Sequence, residues 1–327
     1  MDNNFSPTAI FMVTSHFPDL NSRWRALLGK KQQSENNSAY RPSSVLKISG
    51  RLDLRRILIL LSLPLALLVI AFWEVSHEPP IFDAQVHYNE NSWHRVSPDA
   101  VINTARELNI PWLLVGSTPN EGTWKLKDSD SPRIIPMLIP GHAHEDRDTW
   151  FNDLQIKNYI EQEVARGVYA GIGEFHLFDG QVNTPVVRRM VELATINDLV
   201  LHARSDPNAI KQLFEMGPNL RILWAHAGMF TKPKTVGKLL DRYFNLWVEI
   251  SHRGDVAPNG VLNPEWRELI LRYPNRFLLG SGTYREEYWY QFRYMHTKYR
   301  DWLKELPPEP MKMIAYLNGL DLFRLRQ

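Results

Sequence analysis

The chain contains no cysteine, which excludes disulfides and thiolate metal sites. That absence fits an oxidising compartment without requiring one. A basic stripe is missing too. Residues 1–73 carry nine Lys/Arg against four Asp/Glu, leaving 29 against 32 for residues 74–327. The larger part is mildly acidic and offers no footprint for nucleic acid. Nor does a glycine-rich turn follow the first strand-like run, which ends in Gln85-Val86-His87. A doubly wound open sheet would normally place its phosphate-binding turn there. What remains is a chain of 327 residues with 11 Trp and 22 Pro. That is enough for one large α/β domain plus an appendage, with many defined turns.

The appendage is legible at the N-terminal side. Ile57 to Trp73 is a 17-residue run without charge. At 1.5 Å per residue it reaches about 26 Å, just short of a hydrocarbon core of about 30 Å. Pro64 lies mid-run, Arg51, Arg55 and Arg56 precede it, and Glu74 and Glu78 follow. The positive-inside rule puts residues 1–56 in the cytoplasm and the bulk of the chain outside, in the periplasm of a bacterial inner membrane. A cleaved signal peptide is the competing reading, but Phe72-Trp73-Glu74 makes a poor cleavage sequence. Residues 1–56 read as a largely disordered tail, with the polar stretch Lys30–Ser44 offering little to bury.

From Pro79 onward strand-like and helical runs alternate. The strand-like runs are Ile81–Tyr88, Pro111–Ser117, Arg133–Pro140, Val168–Leu177, Leu199–Ser205, Arg221–Gly228, Leu246–Arg253 and Phe277–Tyr284. Ser97-Pro98, Thr184-Pro185, Asp206-Pro207 and Asn263-Pro264 read as caps followed by an N1 proline. Asp148 opens a further helical run through Ala165, and the second gap, Pro119 to Pro132, looks too polar for a good helix. Eight such units over residues 79–327 predict a (β/α)8 TIM barrel behind a single N-terminal transmembrane helix.

Three runs end in a residue able to bind metal: Glu174, His202 and His226. In a parallel barrel every strand delivers its C-terminal end to one face, so these three converge. Alternation with period 2 puts Asp83, Gln85 and His87 on one face of the first strand. On the seventh it puts Glu249, Ser251 and Arg253 on one face and His252 on the other. Arg204 and Arg253 suit a carboxylate or phosphate, so an anionic small-molecule substrate is expected. A buried Glu174–Arg204 ion pair would explain both residues without metal. The aromatic run Tyr288 to Tyr294 suits packing, a roof over the site or a membrane interface.

The order of these motifs resembles the metal-dependent amidohydrolase superfamily. Asp83-Ala84-Gln85-Val86-His87 is similar to its opening D-x-H-x-H, and Gly171-Ile172-Gly173-Glu174 to a fourth-strand carboxylate motif. Leu201-His202 and Ala225-His226-Ala227-Gly228 resemble the histidines of strands five and six. Leu279-Gly280-Ser281-Gly282-Thr283 resembles the eighth-strand L-G-S-D-T, and Tyr316 to Phe323 the closing helix. Gln85 stands where the family has a histidine, and Gly282 where it has the aspartate that activates water.

The resemblance implies that the more buried metal site is dismantled. It also implies that Glu174, His202 and His226 hold one divalent ion, zinc first, with His87 as ligand or proton carrier and Arg204 orienting substrate. The expected function is a membrane-anchored hydrolase that uses a metal-activated water on an amide, ester or lactone. A catalytically degenerate barrel that binds a ligand or envelope partner is the alternative, and a lyase such as a decarboxylase a third.

Overall fold

The computed structural model describes residues 78–127, 134–141 and 144–325. The expected tail and the apolar run 57–73 lie outside the described residues. Among the described residues no helix is long and apolar enough to cross a membrane.

Eight parallel strands follow one another in sequence order. They are β1 Phe82–His87, β2 Trp112–Gly116, β3 Ile134–Leu138, β4 Gly171–His176, β5 Val200–Arg204, β6 Arg221–Trp224, β7 Leu246–Glu249 and β8 Phe277–Leu278. β8 returns beside β1 through the parallel bridge Asp83–Leu279, where Ala84 N–H donates to the Leu279 carbonyl at 2.8 Å. The result is a nearly closed α/β TIM barrel, as the alternation of runs predicts.

The connecting helices are α1 Pro98–Glu107, α2 Glu121–Lys127, α3 Leu154–Ala165, α4 Pro185–Ile196, α5 Pro207–Met216, α6 Pro233–Arg242, α7 Pro264–Arg272 and α8 Glu286–Leu303. Ser97, Thr184, Asp206 and Asn263 each accept a backbone N–H in the first turn behind an N1 proline. This satisfies donors that the start of a helix leaves orphaned. Four apolar positions of α5 (Ala209, Ile210, Leu213 and Phe214) are buried, as a helix packed on a sheet requires.

Below the barrel the chain closes with a π turn, Met313–Leu317, and a short α turn, Asn318–Leu322. Asn318 Nδ2 donates to the carbonyls of Pro274 and Phe277, both at 2.8 Å. The Phe82 ring stacks on Phe323 at 5.9 Å between centroids. Leu320 and Leu322 join Phe82, Ala84, Leu114, Met137, Val200 and Leu223 in one buried apolar cluster. The closing helix is therefore part of the core.

Three details depart from the sequence reading. The polar second gap does form a helix, α2, which needs only Leu126 and two small residues, Gly122 and Thr123, buried against the barrel. Asp148 does not start α3. Single 3-10 turns occupy 144–148 and 150–152, and Asp153 caps α3 instead. Strands β6, β7 and β8 stop earlier than their apolar runs suggest, so the residues after them follow turn geometry rather than strand alternation.

Candidate active site

Glu174 sits near the end of β4, where a register shift relative to β5 falls between Gly173 and Phe175. Gly173 has φ +131, and a Cβ there would lie 2.1 Å from the His202 carbonyl oxygen. Only glycine permits this approach of β4 to β5. The Glu174 side chain is 7% exposed. Its Oε2 accepts from His87 Nε2 at 3.0 Å and from Gln85 Nε2. Its Oε1 lies 3.2 Å from His226 Nε2. Burial alone would raise this carboxyl, but His226 and His87 beside it outweigh burial and hold it well below the usual range. Arg204 is not its partner, so the Glu174–Arg204 pair is not formed.

His226 lies just beyond β6 in a turn where His226 and Ala227 have φ of 54 and 48. Its Nδ1 is 3.1 Å from the Ser251 carbonyl and 3.0 Å from Ser251 Oγ, and its backbone N–H donates to Glu249 at 3.1 Å. Burial would lower the imidazole, yet the Glu174 carboxylate, helped by Glu249, leaves it raised. Glu249, wholly buried, is pushed up by burial to about 7 against the pull of His226 and two backbone N–H groups. His202 is 2% exposed and burial drives its ring down to about 3, so it is neutral. His202 Nε2 and Glu174 Oε1 are buried without a well-directed hydrogen bond.

The strand faces need correction. Gln85 and His87 both reach Glu174, but Asp83 does not share their surroundings. β1 shifts register between Asp83 and Val86, and the Asp83 carboxylate is instead 3.1 Å from His296 Nε2 on α8. Past β7 the expectation reverses. The strand ends at Glu249 and His252 has φ +56, which brings His252 to within 5.4 Å of the His226 ring. Arg253, expected at the substrate, is occupied elsewhere. It pairs with Asp255 at 2.7 Å, donates to the carbonyls of His226, Ala227 and Thr231, and covers the Trp266 ring. It braces the β6 turn.

Above Glu174 a pocket of about 60 Å³ opens at the C-terminal ends of the strands. His87, Glu174 and His226 meet Arg204, His176 and Arg147 around it. His176 accepts from Arg204 Nη1 at 3.2 Å and lies 3.1 Å from Asp148. Burial drops the His176 ring to about 4. A neutral ring that donates Nδ1–H to Asp148 presents the Nε2 lone pair to Arg204. Asp148 and His176 thus orient the guanidinium. Sequence reasoning missed this relay, because no motif or spacing marks it, and it set His252 on the opposite face by carrying strand alternation past Glu249.

The single ion implied by the resemblance was to rest on Glu174, His202 and His226 with His87. Among the described residues no group of three or more His, Cys, Asp or Glu could hold a metal ion. Glu174 Oε2 is taken by His87 and Gln85, and both nitrogens of His226 face oxygen atoms. His202 Nε2 and Glu174 Oε1 are the expected ligand atoms left without a well-directed partner. One imidazole nitrogen and one carboxylate oxygen fall short of the three protein ligands of a catalytic zinc.

No curated protein matches the chain. Among solved structures, one described as a 2-pyrone-4,6-dicarboxylic acid hydrolase from Pseudomonas putida is 13% identical with TM-score 0.55, covering 77% of this chain and 100% of its own. An amidohydrolase structure from Staphylococcus aureus is 12% identical with TM-score 0.51, covering 76% and 100%. An uncharacterised TIM-barrel protein from Bordetella bronchiseptica is 13% identical with TM-score 0.51, covering 69% and 82%. At such identities these likenesses speak for the fold. The family model described as Amidohydrolase matches residues 160–325, just over half of the chain. The match runs from α3 through β4–β8 to the closing helix, and with the ordered motifs it places this chain in the amidohydrolase family.

Proposed function

We propose that the barrel is a hydrolase of the amidohydrolase type acting on a small anionic substrate through an ester, lactone or amide carbonyl. The observation that carries this reading is one pocket where the oriented Arg204 guanidinium faces the Glu174–His87–His226 cluster. Arg204, with Arg147 nearby, holds the carboxylate or phosphate of the substrate through a forked contact. The ionised Glu174 carboxylate orients both imidazoles and stabilises positive charge on them, as in other carboxylate–histidine pairs. Water adds to the carbonyl carbon, and its proton passes to His87. The acyl–oxygen or acyl–nitrogen bond then breaks, and the departing atom takes a proton from His226.

Members of this family generally use divalent metals. The sequence reading seats one ion, zinc first, on Glu174, His202 and His226 with His87, and no step above needs it. The same reading places the barrel in the periplasm, held at the bilayer by residues 57–73. That rests on the uncharged run and on Arg51, Arg55 and Arg56 before it.

A second reading, a barrel that binds its anion without turnover, is favoured by Gln85 and Gly282 at two positions of the family's site. A panel of small lactones and esters, each with and without a carboxylate, separates the two. Turnover of the anionic members that collapses in His226→Ala and shows a raised KM in Arg204→Ala supports the hydrolase. No turnover, with anion binding still weakened by Arg204→Ala, supports the second reading.

A further inference from the structure

We infer that this barrel has exchanged its divalent-ion seat for a fixed network of side chains: the His252 ring fills the space of the eighth-strand side chain, the Gln85 amide ties Glu174 to Ser251, and the pocket holds no bound metal. This goes beyond the proposed activity and does not depend on it.

The eighth-strand side is closed by His252. Gly282 has φ +60, and a Cβ built on it would lie 2.1 Å from His252 Nε2 and 2.7 Å from the neighbouring ring carbon. Real Cβ atoms do not approach another atom that closely, so an aspartate here would have to expel the ring. The ring is held in place. Its Nε2 lies 3.0 Å from the Gly282 carbonyl oxygen, and it packs at 5.0 Å from Tyr288 and 5.8 Å from Tyr284. The glycine and the histidine therefore complement each other: the loss of one side chain makes room for the other.

The first-strand side is closed by Gln85. Its amide nitrogen donates to Glu174 Oε2 and its amide oxygen accepts from Ser251 Oγ at 2.8 Å. The orientation is chemically forced, since a flip would set the amide oxygen against a carboxylate. The nitrogen has no lone pair to give, and the oxygen, the atom able to ligate, faces Ser251 instead of the pocket. Ser251 continues the network to Glu249 at 3.1 Å and to His226 Nδ1 at 3.0 Å.

His226 is committed in the same way. Nδ1 faces the Ser251 carbonyl and Nε2 faces the Glu174 carboxylate. Both ring nitrogens thus face oxygen atoms of the protein instead of an open metal position. The charge a metal would bring to Glu174 is supplied by the imidazoles and the amide.

The test uses the full chain, purified in mild detergent without chelator. Its metal content is measured by plasma mass spectrometry, and its Tm with EDTA and with added Zn2+ or Mn2+. Bound metal far below one ion per chain and an unchanged Tm are expected. An ion at about 1 mM binding with a Kd of about 1 μM would raise Tm by on the order of 10 °C. About one retained ion per chain, lost in His202→Ala and His226→Ala, overturns the inference.

A stability cycle tests the part assigned to His252. Gly282→Asp is expected to lower Tm far more with His252 present than in the His252→Ala background. Equal falls in both backgrounds overturn that part. Neither measurement needs a substrate, so a failure of the hydrolase reading would leave both results intact.

Discussion

The Gly282 N–H donates to the Gln85 carbonyl at 2.7 Å. The two residues that the sequence reading sets apart from the amidohydrolase motifs are hydrogen-bonded neighbours across the seam between the two ends of the barrel. Gln85 bridges Glu174 to Ser251, and Gly282, having no side chain, leaves room for His252. Gln85→Leu keeps the bulk and removes both amide contacts. It is expected to cost about 1–3 kcal/mol, because Ser251 and Glu174 each lose a buried partner. A urea titration reads this directly, and an unchanged midpoint would mean the bridge contributes nothing.

Acid should unfold the protein through His202. In the unfolded chain this ring titrates at 6.5, whereas in the fold it is held to about 3. The folded state therefore binds fewer protons between these values. The stability from His202 is fully present above pH 6.5 and is lost as pH falls toward 3, on the order of 5 kcal/mol in all. Replacing the ring by His202→Gln is expected to flatten stability between pH 6.5 and 4 relative to the wild type. An equally steep acid loss in the variant would place the sensitivity elsewhere.

Arg204 and its orienting relay should separate in kinetics. Arg204→Ala is expected to weaken binding of an anionic ligand by about 10–100-fold, the loss of a charge-assisted contact. His176→Ala leaves the guanidinium in place but unheld, so its penalty should be smaller and should be relieved in part by His176→Asn. Isothermal titration with a small dicarboxylate distinguishes these outcomes. Equal loss in all three variants would make His176 a direct contact instead of an orienting group.

Gly319 gives a control at the opposite end of the barrel. A Cβ on it would lie 2.4 Å from the Phe82 ring. Gly319→Ala should therefore destabilise by about 1–3 kcal/mol through overpacking, while ligand affinity at the pocket stays unchanged. Chemical denaturation and the same titration check both halves.

The sequence carried the barrel because alternation and cap–proline pairs repeat, and those patterns depend on local chemistry alone. Parallel strands force their ends together, which is why Glu174, His226 and His87 meet as their spacing suggests. The sequence misled at Arg253 and His252 for one reason: an apolar run does not show where a strand gives way to a positive-φ turn, and one reversed step exchanges the faces. The Asp148–His176–Arg204 relay and the Asp83–His296 pair were invisible because their partners come from separate elements with no shared motif. The bridging role of Gln85 was also hidden, since a substitution in a motif says what is gone and not what the new side chain now touches.

His296 and Asp83 are 213 positions apart and both wholly buried, and the same carboxylate accepts the Ser281 N–H at 2.8 Å and the Gln85 N–H at 3.2 Å. The first strand of the barrel is thus locked by a helix that is made after all eight strands. A growing chain can lay down most of its strands early, yet Gln85 and its neighbours stay unanchored until α8 docks. The pocket matures only once α8 has been made, and a chain cut before α8 would keep most of the scaffold and lose the anchor of its first strand.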